Sequence, residues 1–236
     1  MTRTSLDLAD DRLRRSAGAS ALCYVVAFVL AAILIGQPTV HAGQEGIEHS
    51  FVESGLGRAF TGMYLITLGF LLLLPAMIFL SRALGRRSPL GSWAAQTAAA
   101  AGTAYVVVIV GVGFSAGAAA LWALHQELDL PSVVSLNNVR NFAYFVATPF
   151  MGLYAIAIGV AAISDRLLTR WVGWGGVIAG TAFLLAVPAA AAGVQYAMPL
   201  WLLWWVGNGI ALLRHRPGAD DVAAEQPPLE ASVRHD

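Results

Sequence analysis

The stretch Ala59–Leu80 reads AFTGMYLITLGFLLLLPAMIFL and holds no charged residue; Arg58 and Arg82 stand on either side of it. As a helix rising about 1.5 Å per residue, it reaches roughly 30 Å, the thickness of a bilayer's hydrocarbon core. A helix on a water-facing protein carries a polar stripe, and this one carries none. The run therefore predicts a membrane span. Around it the chain of 236 residues is 58% hydrophobic and only 12% charged. Globular chains carry about 25% charged residues, so little of this surface is meant for water.

Five further runs of the same kind follow. Span one covers Ala17–Gly36, longer than the apolar stretch of a signal peptide. Span two is Ala59–Leu80 itself. Spans three to six fall at about Ala94–Leu124, Phe142–Ile163, Trp171–Ala192 and Ala197–Leu213. Pro75, Pro149 and Pro188 lie inside spans and predict kinks. The expected fold is all-α: a polytopic membrane protein whose six transmembrane helices form one bundle over residues 17–213. A segment of residues 1–16 precedes the bundle. A tail of residues 214–236, polar and with three prolines, is expected to be disordered.

The arginines orient the bundle. All 14 basic residues are Arg. Twelve fall in the N-terminal segment, the even-numbered loops and the tail, and only Arg58 and Arg140 fall in the odd-numbered loops. Cytoplasmic loops carry the excess of positive charge, so both termini are expected inside, in a multi-pass protein of the cell (plasma) membrane. Trp93, Trp122, Trp171, Trp174, Trp201, Trp204 and Trp205 lie near span ends, where interfacial anchors belong. The outer loop of residues 37–58 alternates apolar and acidic residues from Gly46 onward, which suits a short amphipathic helix at the interface. Arg58-Ala59-Phe60 before span two and Arg140-Asn141-Phe142 before span four hint at two repeated hairpins.

Composition excludes several chemistries. Without lysine there is no Schiff-base site and no P-loop. With Cys23 the sole cysteine there is no intrachain disulfide, and its place in an apolar run reads as a small buried hydrophobe. A formal net charge of +0 gives no field to recruit nucleic acid. The span centres hold no Asp, Glu, Arg or His, the residues that proton relays and ion-coupled carriers use. Gly113-x-x-x-Gly117 and Gly176-x-x-x-Gly180 provide close helix approach, within the chain or between copies in a homo-oligomer. Asn208, in span six, is the most polar group at membrane depth and is expected to bond to another helix. Thr61, Thr67, Thr103, Ser115 and Thr181 are expected to bond back to their own helices.

The outer loops hold the one cluster with metal-ligand residue types. His41, Glu45 and His49 are spaced by four, which puts them on one face of a helix; His125 and Glu127 lie in the second outer loop on the same side. Imidazole with carboxylate suits Zn²⁺ or another divalent ion. Two functions follow. In the first, a non-enzymatic membrane protein, with the lipid bilayer as its solvent, binds or passes a small apolar molecule or scaffolds a membrane partner. In the second, an extracytoplasmic metal-dependent enzyme is built on the outer loops.

Two segments carry a family resemblance. Residues 15–24, Arg15-Ser-Ala-Gly-Ala-Ser-Ala-Leu-Cys-Tyr24, place an inner arginine before Ala-Gly and an apolar span. Residues 168–180, Leu168-Thr-Arg-Trp-Val-Gly-Trp-Gly-Gly-Val-Ile-Ala-Gly180, lead from an amphipathic turn into a glycine-rich span. Both resemble a bacterial six-span family catalogued as domain of unknown function 4386. The resemblance implies the six-helix architecture and no activity.

Overall fold

The computed structural model describes residues 3–35, 55–86, 88–126, 129–165, 170–186 and 194–214. Six helices occupy them: α1 (Arg3–Ile35), α2 (Leu56–Ala83), α3 (Pro89–His125), α4 (Leu130–Asp165), α5 (Arg170–Ala186) and α6 (Val194–Arg214). Within α3, residues Ile109–Phe114 form a π-helical turn between two α-helical parts. Among the described residues four helices are long and apolar enough to cross a membrane: Asp11–Ile35, Gly57–Ala83, Pro89–His125 and Leu130–Asp165. α5 and α6 are shorter, at 17 and 21 residues.

Local chemistry sets the helix ends. At α3, Ser88 caps the first turn by accepting from the Gly91 N–H at 3.0 Å, and Pro89 starts the helix with the φ it already favours. At α4, Asp129 accepts from the Ser132 N–H at 3.3 Å and from its hydroxyl at 2.9 Å. α2 stops at an extended Leu84 followed by Gly85, whose φ of +85° suits glycine alone at low cost.

α4 is longer than its apolar run implies. The segment Leu130–Asn141, expected as loop, is its first three turns. Asp129 and Pro131 start the helix there, and Val133, Asn137, Arg140, Ala143 and Ala147 continue one buried stripe at spacings of three and four. Likewise the N-terminal segment is helical from Arg3. The interfacial helix from Gly46, the Pro188 kink and the tail from His215 fall outside the described residues.

The six helices close into a ring in chain order. Each packs against its neighbours in sequence, and α6 returns to α1. Small residues set the closest approaches. Across α4 and α5, a Cβ on Gly159 would lie 2.6 Å from the Gly173 carbonyl, and one on Gly176 would lie 2.7 Å from the Ala155 carbonyl. Gly18 and Gly209 do the same for α1 and α6. Thr61, Thr67 and Thr103 bond back to carbonyls four residues earlier, as expected. Large apolar side chains cover the outside: Leu30 and Ile33 on α1, Leu71 and Leu72 on α2, Val107 and Val112 on α3, Leu153 on α4, Leu185 on α5, Leu203 on α6. Cys23 is exposed on this outer surface, which corrects its reading as a buried hydrophobe. An apolar run occupies both faces of a membrane helix, so apolar neighbours alone do not mark a position as internal.

Candidate functional site

The ring axis is filled with aromatic side chains from all six helices. Trp201 of α6 is the hub. Its indole N–H donates to the Tyr24 hydroxyl of α1 at 2.9 Å, and its ring lies 5.7 Å from Tyr105 of α3, 6.3 Å from Tyr154 of α4 and 6.0 Å from Phe183 of α5. Phe70 of α2 joins through Tyr24 at 5.4 Å and Tyr105 at 5.5 Å. Trp205 stacks on Tyr154 with centroids 6.0 Å apart and planes at 18°. Trp204 donates to the Val172 carbonyl of α5 at 3.1 Å. Edge-to-face and stacked pairs contribute about 0.5–1.5 kcal/mol each beyond burial.

This corrects the reading of the tryptophans. Trp93, Trp122, Trp171 and Trp174 are exposed, as anchors are, but Trp201, Trp204 and Trp205 are buried. Their spacing carries the reason: 201, 204–205, 208 and 212 fall on one helical face, and that face turns inward. Asn208 shares it. Its amide donates to the Trp204 carbonyl of its own helix at 2.8 Å, rather than to another helix as expected. Three polar atoms in this core find no hydrogen-bond partner among the described residues: the Tyr154 hydroxyl, the Trp205 indole nitrogen and the Asn208 carbonyl oxygen. Buried polar groups almost always bond to something, so these mark where a polar atom is accepted.

A second polar set lies nearer the N-terminal end of α4. Arg140 is only 8% exposed and Asn137 only 2%. One Arg140 nitrogen bonds to the neighbouring Asn141 side chain at 3.3 Å; the other terminal nitrogen, and the Asn137 side-chain oxygen, have no partner among the described residues. The Arg140 stem crosses α3 at Gly117, where a Cβ would lie 3.0 Å from its Cδ. Neither residue stands out in the sequence, because the polar segment from His125 to Asn141 reads as loop; the three-and-four spacing of Val133, Asn137 and Arg140 is the sign it carries.

The opposite end is closed by ion and hydrogen-bond contacts. Asp165, at the C-terminus of α4 and 2% exposed, accepts from the Gly85 N–H at 2.5 Å, the Arg86 N–H at 2.9 Å and the Ser88 hydroxyl at 3.2 Å. It thereby fixes the α2–α3 connection. Arg14 donates to the Leu212 carbonyl in the last turn of α6 and to Asp11, which also pairs with Arg15 at 2.9 Å. The carbonyls of a last turn lack helical partners, so Arg14 completes α6.

Of the expected metal ligands, His41, Glu45, His49 and Glu127 lie outside the described residues. His125 ends α3 with its ring 5.4 Å from that of Trp122. Among the described residues no three His, Cys, Asp or Glu side chains gather. No protein-family model, curated protein or solved structure matches the chain.

Proposed function

We propose that this is a six-span, multi-pass protein of the plasma membrane, with both termini cytoplasmic, that binds or passes a small apolar molecule without catalysis. The aromatic core carries the reading: rings from six helices meet on the axis, and the Tyr154 hydroxyl, Trp205 indole nitrogen and Asn208 oxygen lie among them with no partner among the described residues. A largely apolar ligand with one hydroxyl or carbonyl, entering by displacing rings of this filled axis, matches those three polar atoms. Four helices of spanning length support membrane residence, and the exposed apolar side chains of α5 and α6 support the remaining two crossings. The arginine asymmetry supports the orientation, and the family resemblance of residues 15–24 and 168–180 belongs to the same proposal.

Tryptophan quenching tests it. A small apolar heavy-atom quencher, bromobenzene, is titrated into the protein in lipid nanodiscs. The exposed tryptophans give quenching linear in the lipid-phase concentration. A bound quencher adds a saturable component, which Trp205→Phe removes or weakens. Strictly linear quenching by this probe, unchanged by the substitution, refutes binding of a small arene in the core.

A further inference from the structure

Arg140 is a charged group inside the bundle with one donor that has no partner among the described residues, and several observations converge on it. The guanidinium is buried rather than turned out to the surface, unlike Arg58 at the start of α2, which is exposed. Gly117 makes the space for its stem, with the Met63 methyl 2.9 Å from the Cβ position there. The π-helical turn Ile109–Phe114 ends three residues before that glycine, and such turns recur at functional sites. Asn137, one turn before Arg140 on the same face of α4, offers an acceptor that is equally unpartnered. The nearest described carboxylate along α4, Asp129, is exposed and occupied with Ser132. At the other end of α4, Asp165 lies 25 residues on, about 38 Å along the helix, which exceeds the roughly 30 Å hydrocarbon core. With Asp165 at the inner boundary, Arg140 stands at the level of the outer headgroups.

We propose that Arg140 and Asn137 form a binding site for a single oxyanion that retains a proton, the chemistry of phosphate or a phosphate monoester. One anionic oxygen accepts from the free Arg140 nitrogen, and the protonated oxygen donates to the Asn137 side-chain oxygen. One group thus satisfies both atoms that the described residues leave open, and it neutralises the guanidinium in surroundings where charge is costly unpaired. Met63, with its flexible thioether, is the wall that yields. The inference does not depend on the aromatic core, which lies further along α4.

The same group reaches the site from two sources, a phosphatidate headgroup or free inorganic phosphate, and the test separates them. Full-length protein is placed in phosphatidylcholine nanodiscs, and Tm is measured with and without inorganic phosphate at matched ionic strength. A parallel set of discs contains phosphatidate. Wild type gives a saturable rise in Tm in at least one arm; a response to phosphate alone identifies the free anion, and a response to phosphatidate alone identifies the headgroup. Arg140→Met keeps the stem against Gly117 but abolishes the response, and Asn137→Ala reduces it. Arg58→Gln responds like wild type. Without anion, Arg140→Met melts no lower than wild type, because an unpaired buried charge has been removed. The proposal is overturned if wild type responds in neither arm, if Arg140→Met responds as wild type does, or if that variant melts lower without any anion, which means the guanidinium is already partnered within the chain.

Discussion

Placing alanine at Gly176 tests the α4–α5 contact that holds the ring closed. The new Cβ falls 2.7 Å from the Ala155 carbonyl oxygen and 3.2 Å from two atoms of the Trp204 indole. Ordinary contact begins near 3.4 Å, so the two backbones must part by 3.4 − 2.7 = 0.7 Å. Neither side of the contact is the tip of a flexible side chain. Overpacking of this kind costs about 1–3 kcal/mol. Alanine's helix propensity offsets up to about 1 kcal/mol. A net loss of roughly 1–2 kcal/mol is expected. Gly113→Ala is the matched control. Its Cβ meets the Ala143 methyl at 3.5 Å, the Ile109 Cδ1 at 3.6 Å and the Arg140 carbonyl oxygen at 3.9 Å, all ordinary contacts. That variant should be neutral or gain up to about 1 kcal/mol. Both are measured by reversible unfolding in mixed micelles, followed by helical circular dichroism and tryptophan emission. Equal losses at the two glycines would refute the argument, because they would show that the spacing motif, and not the approach distance, sets the cost.

Asp165→Ala removes the acceptor for three donors of the α2–α3 connection and should cost about 2–5 kcal/mol, read by the same unfolding assay; an effect below about 0.5 kcal/mol would show that water replaces the carboxylate without loss. Tyr24→Phe strands the Trp201 indole N–H and should destabilise by about 1–3 kcal/mol, while Tyr64→Phe, on the exposed face, should do nothing measurable. Cys23 faces outward from α1, so a lipid-soluble maleimide should modify it in membranes and a charged one should not; resistance to both before denaturation contradicts its exposure. In intact cells, cysteine at Ser50 should label from outside and cysteine at Ser232 only after permeabilisation, and the reverse pattern inverts the orientation.

Helices were legible in this chain where hydropathy is one-sided in sequence, and less so where it is one-sided in space. The run Ala59–Leu80 declares itself because no charge interrupts it. Leu130–Asn141 did not, because Asn137 and Arg140 are polar residues on the buried stripe, the reverse of the pattern that identifies a helix by its apolar face. Trp201, Trp204 and Trp205 were misplaced for a related reason. Tryptophan serves equally as an interfacial anchor and as a core ring, and composition near a span end does not distinguish the two. The direction of that face is settled by the Tyr24 hydroxyl, 177 residues away in sequence. Cys23 failed in the opposite sense: inside a membrane, apolar means lipid-facing as readily as buried.

The π-helical turn in α3 sets the angular phase of everything beyond it. One residue of an α-helix turns the chain by about 100°, and a π-turn holds one residue more than the α-turn it replaces. Taking Gly111, which a Cβ would leave in open space, out of the chain would restore a plain α-helix and rotate Ser115–His125 about its axis by that angle. Gly117 would then swing away from Arg140, and the aliphatic stem of Arg140 would meet a side chain where it now crosses a glycine. The extra residue thus works as a vernier between two gears: the N-terminal half of α3 is cut to mesh with the aromatic axis at Tyr105, the C-terminal half with the arginine at Gly117, and a single inserted step lets one rod serve both.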